Sequence, residues 1–457
     1  MTLENIKLLR SIINSSLDDL ESAYESKSLQ FPALDEPYNR DAEAENLTLH
    51  PEIGKTIDLV IAASYQLLST VRHPFLTLAD ASSAYHLSTC LRVSEKLNIP
   101  EVLRDAGPEG LGVVQIATKV DIEPTRVLRV LATHHIFKEV KPNVFANNRV
   151  SSYFATQKSL EEIITAPESK YFGGSSAAAG YIGTFTDEVF KASSYLLENL
   201  EDKKTGKKFL ATGAALQKAM STDQVYFAWL ENQDNAYRFA RYGACIQGTS
   251  LWDPPTTILH GYDWQSIGNR GVVVDVGGGL GAPSMILART YPNLRIVIQD
   301  RENVVMQGKE ATHDFFTPQP IISPSVFLVR TICHDWPDNS VVEILKNLRA
   351  AASDSTHLVL ADYIMPYACT TPEHIPQIEA HLTGPVTPRP LLTNMGKASF
   401  NAYFIDMTME VLLNGQERTL DHQIKLAGQA GWRVVDIKRI VNSQFGYLVA
   451  EPMSPVS

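Results

Sequence analysis

Apolar residues recur at steps of three and four along the N-terminal part of the chain. The first such stripe comprises Leu3, Ile6, Leu9, Ile13, Leu17 and Leu20. This period predicts an amphipathic helix whose apolar side packs against another helix. A polar, proline-containing stretch from about 26 to 55 then predicts a linker, and helical patterns return at 57–71 and 79–97.

The segment 113–148 combines two helical patterns with two strand-like patterns. Pro124 stands at the start of the second helix, and a turn at 141–143 separates the two strands. This order predicts a winged helix. Such a motif serves either DNA binding, here through Arg126 and Arg129, or packing and dimerisation.

From Gly271 onward, β-branched runs alternate with helical patterns. The strand-like runs read GVVVDV, RIVIQD, VFLVRTI and HLVLADYI, and the helical runs read APSMILARTYP and SVVEILKNLRAAA. Strands that alternate with helices predict a parallel, doubly wound sheet, and therefore the α/β class. We place the boundaries at 1–56, 57–155, 156–260 and 261–457, with the third region mainly helical.

Charge and cysteine content narrow the range of partners. The 457 residues include 40 Lys and Arg against 51 Asp and Glu, a net charge of −11, which disfavours a phosphate backbone as partner. We therefore expect no nucleic acid and a winged helix used for packing. The four cysteines have neither disulfide-framework nor zinc-ligand spacing, and no apolar run approaches the roughly 20 residues of a membrane span. We expect a soluble, cytoplasmic protein.

A glycine-rich turn follows the first strand of the predicted sheet. Gly277, Gly279 and Ala282 satisfy the relaxed dinucleotide fingerprint, and Gly281 completes the turn. Asp300 closes the next strand, 19 residues beyond Gly281 (300 − 281), a spacing that suits a carboxylate bound to two ribose hydroxyls. These residues leave both NAD and S-adenosylmethionine as candidate ligands.

Asp275 favours S-adenosylmethionine, because it stands two residues before Gly277 and a carboxylate there suits a cationic amino-acid end, which NAD lacks. From about 75 to 452, the chain resembles class I S-adenosylmethionine-dependent O-methyltransferases, of the type found for plant phenolics and fungal secondary metabolites. The resemblance implies a C-terminal Rossmann-like domain, an N-terminal winged-helix dimerisation domain, a homodimer and S-adenosylmethionine as cofactor.

The motif His334-Asp335-Trp336-Pro337-Asp338 lies just past a strand end and resembles the catalytic segment of this family. The resemblance implies that His334 removes the proton of an acceptor hydroxyl. A phenol with a pKa near 10 is a poor nucleophile at neutral pH, so a positioned imidazole assists it. Asp362 and Glu417 match the paired family glutamates that orient the base. Asp362 is one methylene shorter than the usual Glu, so we expect it to reach His334 less directly or through water.

Further residues carry over from the family by position. The resemblance implies cofactor contacts from Asp314, Phe315 and Arg330, where Arg330 replaces the more usual Lys. For the acceptor pocket it suggests five residues with aromatic, thioether or polar side chains: Trp229, Asp406, Met407, Met409 and Asn414. The sequence has no divalent-metal cluster, so we expect no metal in the reaction.

The main hypothesis is an O-methyltransferase acting on a phenolic or enolic small molecule, a polyketide for example. The alternative is a pericyclase or dehydratase of the same fold, in which bound S-adenosylmethionine assists a cyclisation and no methyl group moves. The pair His334-Asp335 favours methyl transfer. A nicotinamide-dependent reductase and a DNA-binding regulator are weaker hypotheses, because Asp275 suits a pyrophosphate poorly and the chain is acidic.

Overall fold

A computed structural model describes residues 3–173, 177–206, 210–249, 255–305, 311–369, 387–440 and 445–454. The chain forms two compact units. One comprises Met1–Tyr195 with Lys218–Leu251 and is called the helical unit below. The other comprises Leu196–Gln217 with Trp252–Ser457 and is called the sheet unit.

The predicted N-terminal helix is confirmed and runs over Leu3–Ser26. Its Leu20 and Tyr24 are buried together with Ile53 of the helix Pro51–Val71. That second helix starts inside the predicted linker, because proline is favoured in the first helical turn. A short helix also lies within the predicted linker, at Glu43–Thr48.

The helical unit continues with a winged helix, as predicted. Its helices and three strands are Pro74–Ser83, Tyr85–Lys96, Ile99–Ala106, Val113–Val120, Thr125–Thr133, β1 (Leu111–Gly112), β2 (Lys138–Lys141) and β3 (Val144–Ala146). The strands pair in the order β1-β3-β2. Arg129, a candidate DNA contact, donates to Oε1 of Glu139 in β2 at 2.9 Å and so stabilises the wing itself.

The rest of the helical unit is mainly helical, as predicted. The segments include Arg149–Tyr153, Leu160–Thr165, Ala177–Thr184, Phe190–Ser193, Tyr226–Leu230 and Ala236–Gly248. A π-helical turn, Phe185–Val189, connects two of these helices. The helix Leu196–Glu201 belongs to the sheet unit, and Ala215–Met220 crosses from one unit to the other.

The α/β class is also confirmed. Within the described residues, seven strands of the sheet unit pair in the order β6-β5-β4-β7-β8-β10-β9. They are β4 (Val272–Val276), β5 (Arg295–Asp300), β6 (Ala311–Thr312), β7 (Val326–Arg330), β8 (His357–Tyr363), β9 (Trp432–Arg439) and β10 (Phe445–Pro452). The first five strands are parallel, and β10 is antiparallel to both β8 and β9, which makes the sheet mixed.

Alternate residues of the strands fill two apolar layers, one on each face of the sheet. Val274 and Phe327 belong to one layer, and Val273 and Leu328 to the other. Such burial on both faces is expected when helices cover a parallel sheet. The helix Ala282–Thr290 packs on one face, and Asp338–Ala351 and Leu420–Gln429 pack on the other. The sheet unit also contains the helices Glu302–Val305 and Phe400–Leu413.

The parallel strands β4, β5, β7 and β8 end at one edge of the sheet, which is where α/β folds bind ligands. In the part of the chain that the structure describes, no helix is long and apolar enough to cross a membrane.

Candidate active site

The glycine turn after β4 has the backbone conformation that only glycine adopts easily. Gly277 and Gly279 have φ of +71° and +58°. The amide of Gly279 donates to Oδ2 of Asp300 at 2.8 Å, so the carboxylate that closes β5 holds the turn. A Cβ at Gly279 would have no heavy atom within 4 Å. The turn therefore has an open side where a ligand can approach the backbone.

Asp275 lies under this turn. It is 4% exposed, and its Oδ2 accepts a hydrogen bond from Ser284 Oγ at 2.6 Å, which ties the end of β4 to the helix Ala282–Thr290. Burial raises the pKa of Asp275 to about 6. A contact of Asp275 with the amino end of the cofactor stays a prediction.

The other predicted cofactor residues lie in two different surroundings. Phe315 packs edge-on against Trp336, with ring centres 5.8 Å apart, and Asp314 Oδ1 accepts from the amide of Phe316 at 3.0 Å. The guanidinium of Arg330 lies 5.1 Å from the ring centre of Phe445. The structure thus brings Phe315 close to the motif at 334–338, whereas Arg330 packs on an aromatic ring of β10.

His334 and Glu417 form a short polar contact at the edge of the sheet. His334 lies in the single 3₁₀ turn Cys333–Asp335 after β7, and its Nδ1 is 2.6 Å from Oε1 of Glu417. Its Nε2 is 3.5 Å from Oδ1 of Asp335. With Nδ1 directed at Glu417, Nε2 is the nitrogen left to accept a proton from another molecule.

The surrounding carboxylates change the pKa values of this cluster. Burial disfavours the imidazolium, but the charges of Glu417, Asp335 and Asp362 outweigh it and raise the pKa of His334 to about 10. Burial raises the pKa of Asp335 to about 6 and that of Asp362 to about 7. The cluster therefore exchanges protons in the range where a phenol also ionises.

Asp362 takes a different place from Glu417. The hydrogen bonds of the described residues include none between Asp362 and His334, but both line a cavity of about 10 Å³ together with Glu417. Oδ1 of Asp362 and Oε2 of Glu417 are buried and have no hydrogen-bond partner among the described residues. The cavity is at the lower size limit for one water molecule. Asp362 thus lies beside the same cavity as His334 without a hydrogen bond to it, and its role toward His334 stays a prediction.

The predicted acceptor residues divide between the two units. Trp229 belongs to the helical unit, where it stacks on Tyr226 with ring centres 6.2 Å apart. Met407, on the helix Phe400–Leu413, is 43% exposed. Asp406, on the same helix, accepts a hydrogen bond from the amide of Glu417 at 2.8 Å. Asp406 is therefore placed to support Glu417.

The remaining two predicted acceptor residues stand at the end of that helix. The carbonyl of Met409 accepts from the amide of Gly415 at 3.2 Å, and Asn414 Nδ2 donates to the carbonyl of Leu210 at 2.9 Å. These contacts stabilise the turn that precedes Glu417. A role of either residue in acceptor binding stays a prediction.

Sequence reasoning missed the residue that follows Glu417. Arg418 is 3% exposed, and its guanidinium donates to the carbonyls of Cys333 and Trp336, each at 2.7 Å, on either side of His334. The only signal in the sequence is a basic residue next to a candidate carboxylate.

Comparisons with known proteins agree with this geometry. A sequence model of the O-methyltransferase domain matches residues 254–380, and one of the O-methyltransferase dimerisation domain matches residues 79–157. An O-methyltransferase of Armillaria gallica is 35% identical over 98% of this chain and 99% of its own length. The 4-O-methyltransferase 1 of Phanerochaete chrysosporium is 32% identical over 95% of this chain and 96% of its own length.

The fold and the site thus define a class I methyltransferase with an N-terminal dimerisation domain. The chain belongs to the O-methyltransferase family, as the resemblance indicated. A solved structure titled as a pericyclic reaction enzyme has the same fold, with a TM-score of 0.65 and 19% identity over 90% of this chain and 99% of that chain.

Proposed function

We propose that this enzyme transfers a methyl group from S-adenosylmethionine to a phenolic or enolic hydroxyl of a small molecule, with His334 as the general base. The contact of 2.6 Å between His334 Nδ1 and Glu417 Oε1 carries the proposal. It orients the imidazole, and it stabilises the imidazolium that forms when the base takes a proton.

The glycine turn adjoins the base. A Cβ at Gly277 would lie 2.5 Å from Cδ1 of Ile332, two residues before His334. A cofactor on this turn would therefore have its reactive end near the base, and holding two reactants at contact distance supplies a large share of the rate in such a transfer.

The residues around the turn fit S-adenosylmethionine, which supplies an electrophilic methyl group on a sulfonium. Asp300 would accept hydrogen bonds from two ribose hydroxyls, because its carboxylate oxygens, bound to the amides of Gly279 and Arg301, retain further lone pairs. Asp314 would accept from the adenine amine, and Phe315 would pack on the ring. Solved structures of the same fold contain S-adenosylmethionine or S-adenosylhomocysteine.

The raised pKa of His334 has a consequence for the reaction. At neutral pH the imidazole of the free protein is mostly protonated, since its pKa is about 10. The neutral form takes the proton from the acceptor hydroxyl at Nε2. We therefore expect kcat/KM to rise with pH on the alkaline side of neutrality.

Mass spectrometry of the purified protein tests the proposal. The protein is incubated with S-adenosylmethionine and a panel of phenolic, enolic and pyridone acceptors, and both S-adenosylhomocysteine and product masses are followed. S-adenosylhomocysteine and a methylated product that appear together support the proposal. An acceptor that isomerises or loses water only in the presence of cofactor, without S-adenosylhomocysteine, would replace it with the pericyclase alternative.

We also infer which face two copies share. The dimerisation-domain match supports a homodimer. The helix Pro74–Ser83 has no buried side chain, and Phe75 and Leu78 are 69% and 68% exposed. This apolar helix leads directly into the matched segment, so a second copy is the partner that would cover it.

Sedimentation analysis of Leu78→Glu tests this face. We expect the variant to be monomeric at concentrations where the wild type is dimeric. Ile322→Glu is the matched control, because Ile322 is 67% exposed but lies in the sheet unit. A dimeric Leu78→Glu variant would refute the assignment.

A further inference from the structure

The segments that hold His334 and Glu417 are both irregular. The base segment, 331–337, begins with Thr331 at a φ of +52° and contains one 3₁₀ turn. The carboxylate segment, 414–419, begins with Asn414 at a φ of +55° and connects two helices. Both segments are anchored at the end of β8, since the amide of Thr331 donates to the carbonyl of Ala361 at 2.9 Å and the carbonyl of Arg418 accepts from the amide of Met365 at 3.0 Å. Contacts between the two segments add to this anchoring and bring His334 and Glu417 together.

A backbone contact joins the segments at the base itself. The amide of Gln416 donates to the carbonyl of His334 at 2.9 Å. A Cβ at Gly415 would overlap this carbonyl, so the close approach requires glycine there.

The side chain of Arg418 makes the remaining contacts. Its Nη1 donates to the carbonyl of Cys333 and its Nη2 to that of Trp336, each at 2.7 Å. Its Nε donates to Oδ1 of Asp338 at 2.9 Å. The guanidinium of Arg418 therefore binds the backbone on both sides of His334. Because Arg418 directly follows Glu417 in the chain, it links the two segments.

Asp338 is in turn held by two more side chains. Its Oδ1 accepts from Gln416 Nε2 at 3.0 Å, and its Oδ2 is 2.9 Å from His422 Nε2. Both partners lie on or next to the carboxylate segment. Asp338 therefore orients the guanidinium at Nε, and the carbonyls of Cys333 and Trp336 orient it at Nη1 and Nη2.

We propose that Arg418 is a positioning residue that sets the distance between His334 and Glu417 and thereby the proton affinity of the base. The inference deepens the proposed function and rests on it for its catalytic meaning. A guanidinium presents its donors in a rigid fork, whereas a lysine ammonium is a point charge on a flexible stem and cannot bind three separated acceptors in the same way.

If Arg418 acted only through its charge, its removal would shift the pKa of His334 in the opposite direction. Loss of a nearby positive charge favours the imidazolium and raises the pKa of His334. Loss of the contact with Glu417 removes the partner of the imidazolium and lowers it. The charge-conserving Arg418→Lys and the neutral Arg418→Met variants therefore separate the two roles.

The experiment is an NMR titration of ¹⁵N-histidine-labelled, full-length protein without cofactor or acceptor. The chain has 12 histidines, and His334→Gln assigns the resonance of His334. We expect its titration midpoint to fall by about one pH unit or more in both Arg418 variants. Because no methyl transfer is measured, failure of the proposed function would not be mistaken for failure of this inference.

Arg349→Met is the matched control for general destabilisation. Arg349 also donates to backbone carbonyls of the sheet unit, those of Gly431 at 3.1 Å and Met453 at 2.7 Å. We expect a lower Tm but an unchanged His334 midpoint in this variant. Gln416→Ala, a change without charge that removes the hydrogen bond from Gln416 Nε2 to Asp338 and so weakens the hold on Arg418, replaces Arg418→Met if that variant does not fold, and we expect a smaller fall in the same direction.

Three outcomes would overturn the inference: a wild-type midpoint in Arg418→Lys, a raised midpoint in Arg418→Met, or an equal fall in Arg349→Met. The first two outcomes would show that Arg418 acts on His334 through its positive charge and not by positioning. The third would assign it a role in stability alone.

Discussion

Each unit contains a cluster of buried charges, and the two clusters differ in composition. In the helical unit, Asp187 accepts from Lys191 Nζ at 2.6 Å, Arg241 Nη2 at 3.0 Å and Arg92 Nη2 at 3.1 Å, and Arg241 also contacts Glu188. Arg238 Nε lies 3.4 Å from Oδ2 of Asp187, so four cations surround two carboxylates. In the sheet unit, three carboxylates surround the imidazole of His334, namely Glu417, Asp335 and Asp362.

The two compositions have different effects on proton binding. Burial opposes the ionisation of Asp187, but Lys191, Arg92 and Arg241 hold its pKa well below its usual range. Burial raises the pKa of Asp362 to about 7. The cations thus fix the charge of Asp187, whereas burial raises the pKa of Glu188 in the same cluster to about 7 despite Arg241. Around His334, the pKa of the imidazole and those of two carboxylates are all raised, so several protons of one cluster move near physiological pH, which suits chemistry.

The largest effect is expected for His334→Gln. The variant retains a polar side chain but lacks the base, so we expect methyl transfer to slow by about a hundredfold to ten-thousandfold. The formation of S-adenosylhomocysteine measures the rate, and calorimetry with S-adenosylmethionine measures binding, which we expect to be nearly unchanged. Loss of cofactor binding would contradict the assignment of the base.

The corresponding change in the helical unit is Arg241→Met. It leaves Glu188 and Asp187 buried with fewer partners, so we expect the free energy of unfolding to fall by about 3–5 kcal/mol in urea titrations. Arg433→Met is the control, because Arg433 is exposed and its pair with Glu451 is worth about 0–1 kcal/mol. An equal loss of unfolding free energy in the two variants would show that the buried cluster stabilises the fold no more than an exposed ion pair does.

A smaller effect is expected for Glu417→Gln, and it has a pH signature. Glu417 raises the pKa of His334, so its removal lowers that pKa and moves the rise of kcat/KM to lower pH. We expect the maximal rate to fall by about tenfold to a hundredfold, because the imidazolium loses its partner. An unshifted pH profile would contradict the pairing.

The same variant changes stability in a defined pH window. The folded-state pKa of His334, about 10, lies above the unfolded value of 6.5, so its stabilising contribution is complete below pH 6.5 and is lost as the pH rises through 10. The difference in free energy of unfolding between wild type and Glu417→Gln should therefore shrink from pH 6.5 to 10.

The smallest effect is expected for Asp362→Asn. Asp362 lines the same small cavity as His334 without a hydrogen bond to it, so we expect less than about a tenfold loss of kcat. Since the pKa of Asp362 is about 7, its side chain is protonated and similar to Asn below that pH. The variant should match the wild type in acid and differ from it only above pH 7. A large loss at all pH values would assign Asp362 a direct role.

Local patterns were sufficient for the winged helix, for the parallel strands β4, β5, β7 and β8 and for the parts of the site that lie within one motif, but not for the antiparallel strands β9 and β10. Helical and strand periods predicted the winged helix and the alternation of strands and helices in the sheet. The turn at Gly277 and Gly279, the acid Asp300 and the proposed base His334 all lie at or just after strand ends, so their common edge follows from the parallel topology. Such features depend on periodicity and on glycine conformations, and both are determined by residues that are close together in the sequence.

Only the tertiary structure decided which carboxylate contacts the base and what holds the two together. Glu417 is 83 positions from His334 along the chain, whereas Asp362 is 28 positions away (362 − 334), yet Glu417 makes the contact. Arg418 and Asp406 support that contact through side-chain and backbone groups that no period in the sequence marks. The physical reason is that contacts between irregular loops depend on how distant helices pack, and packing is a property of the folded chain as a whole.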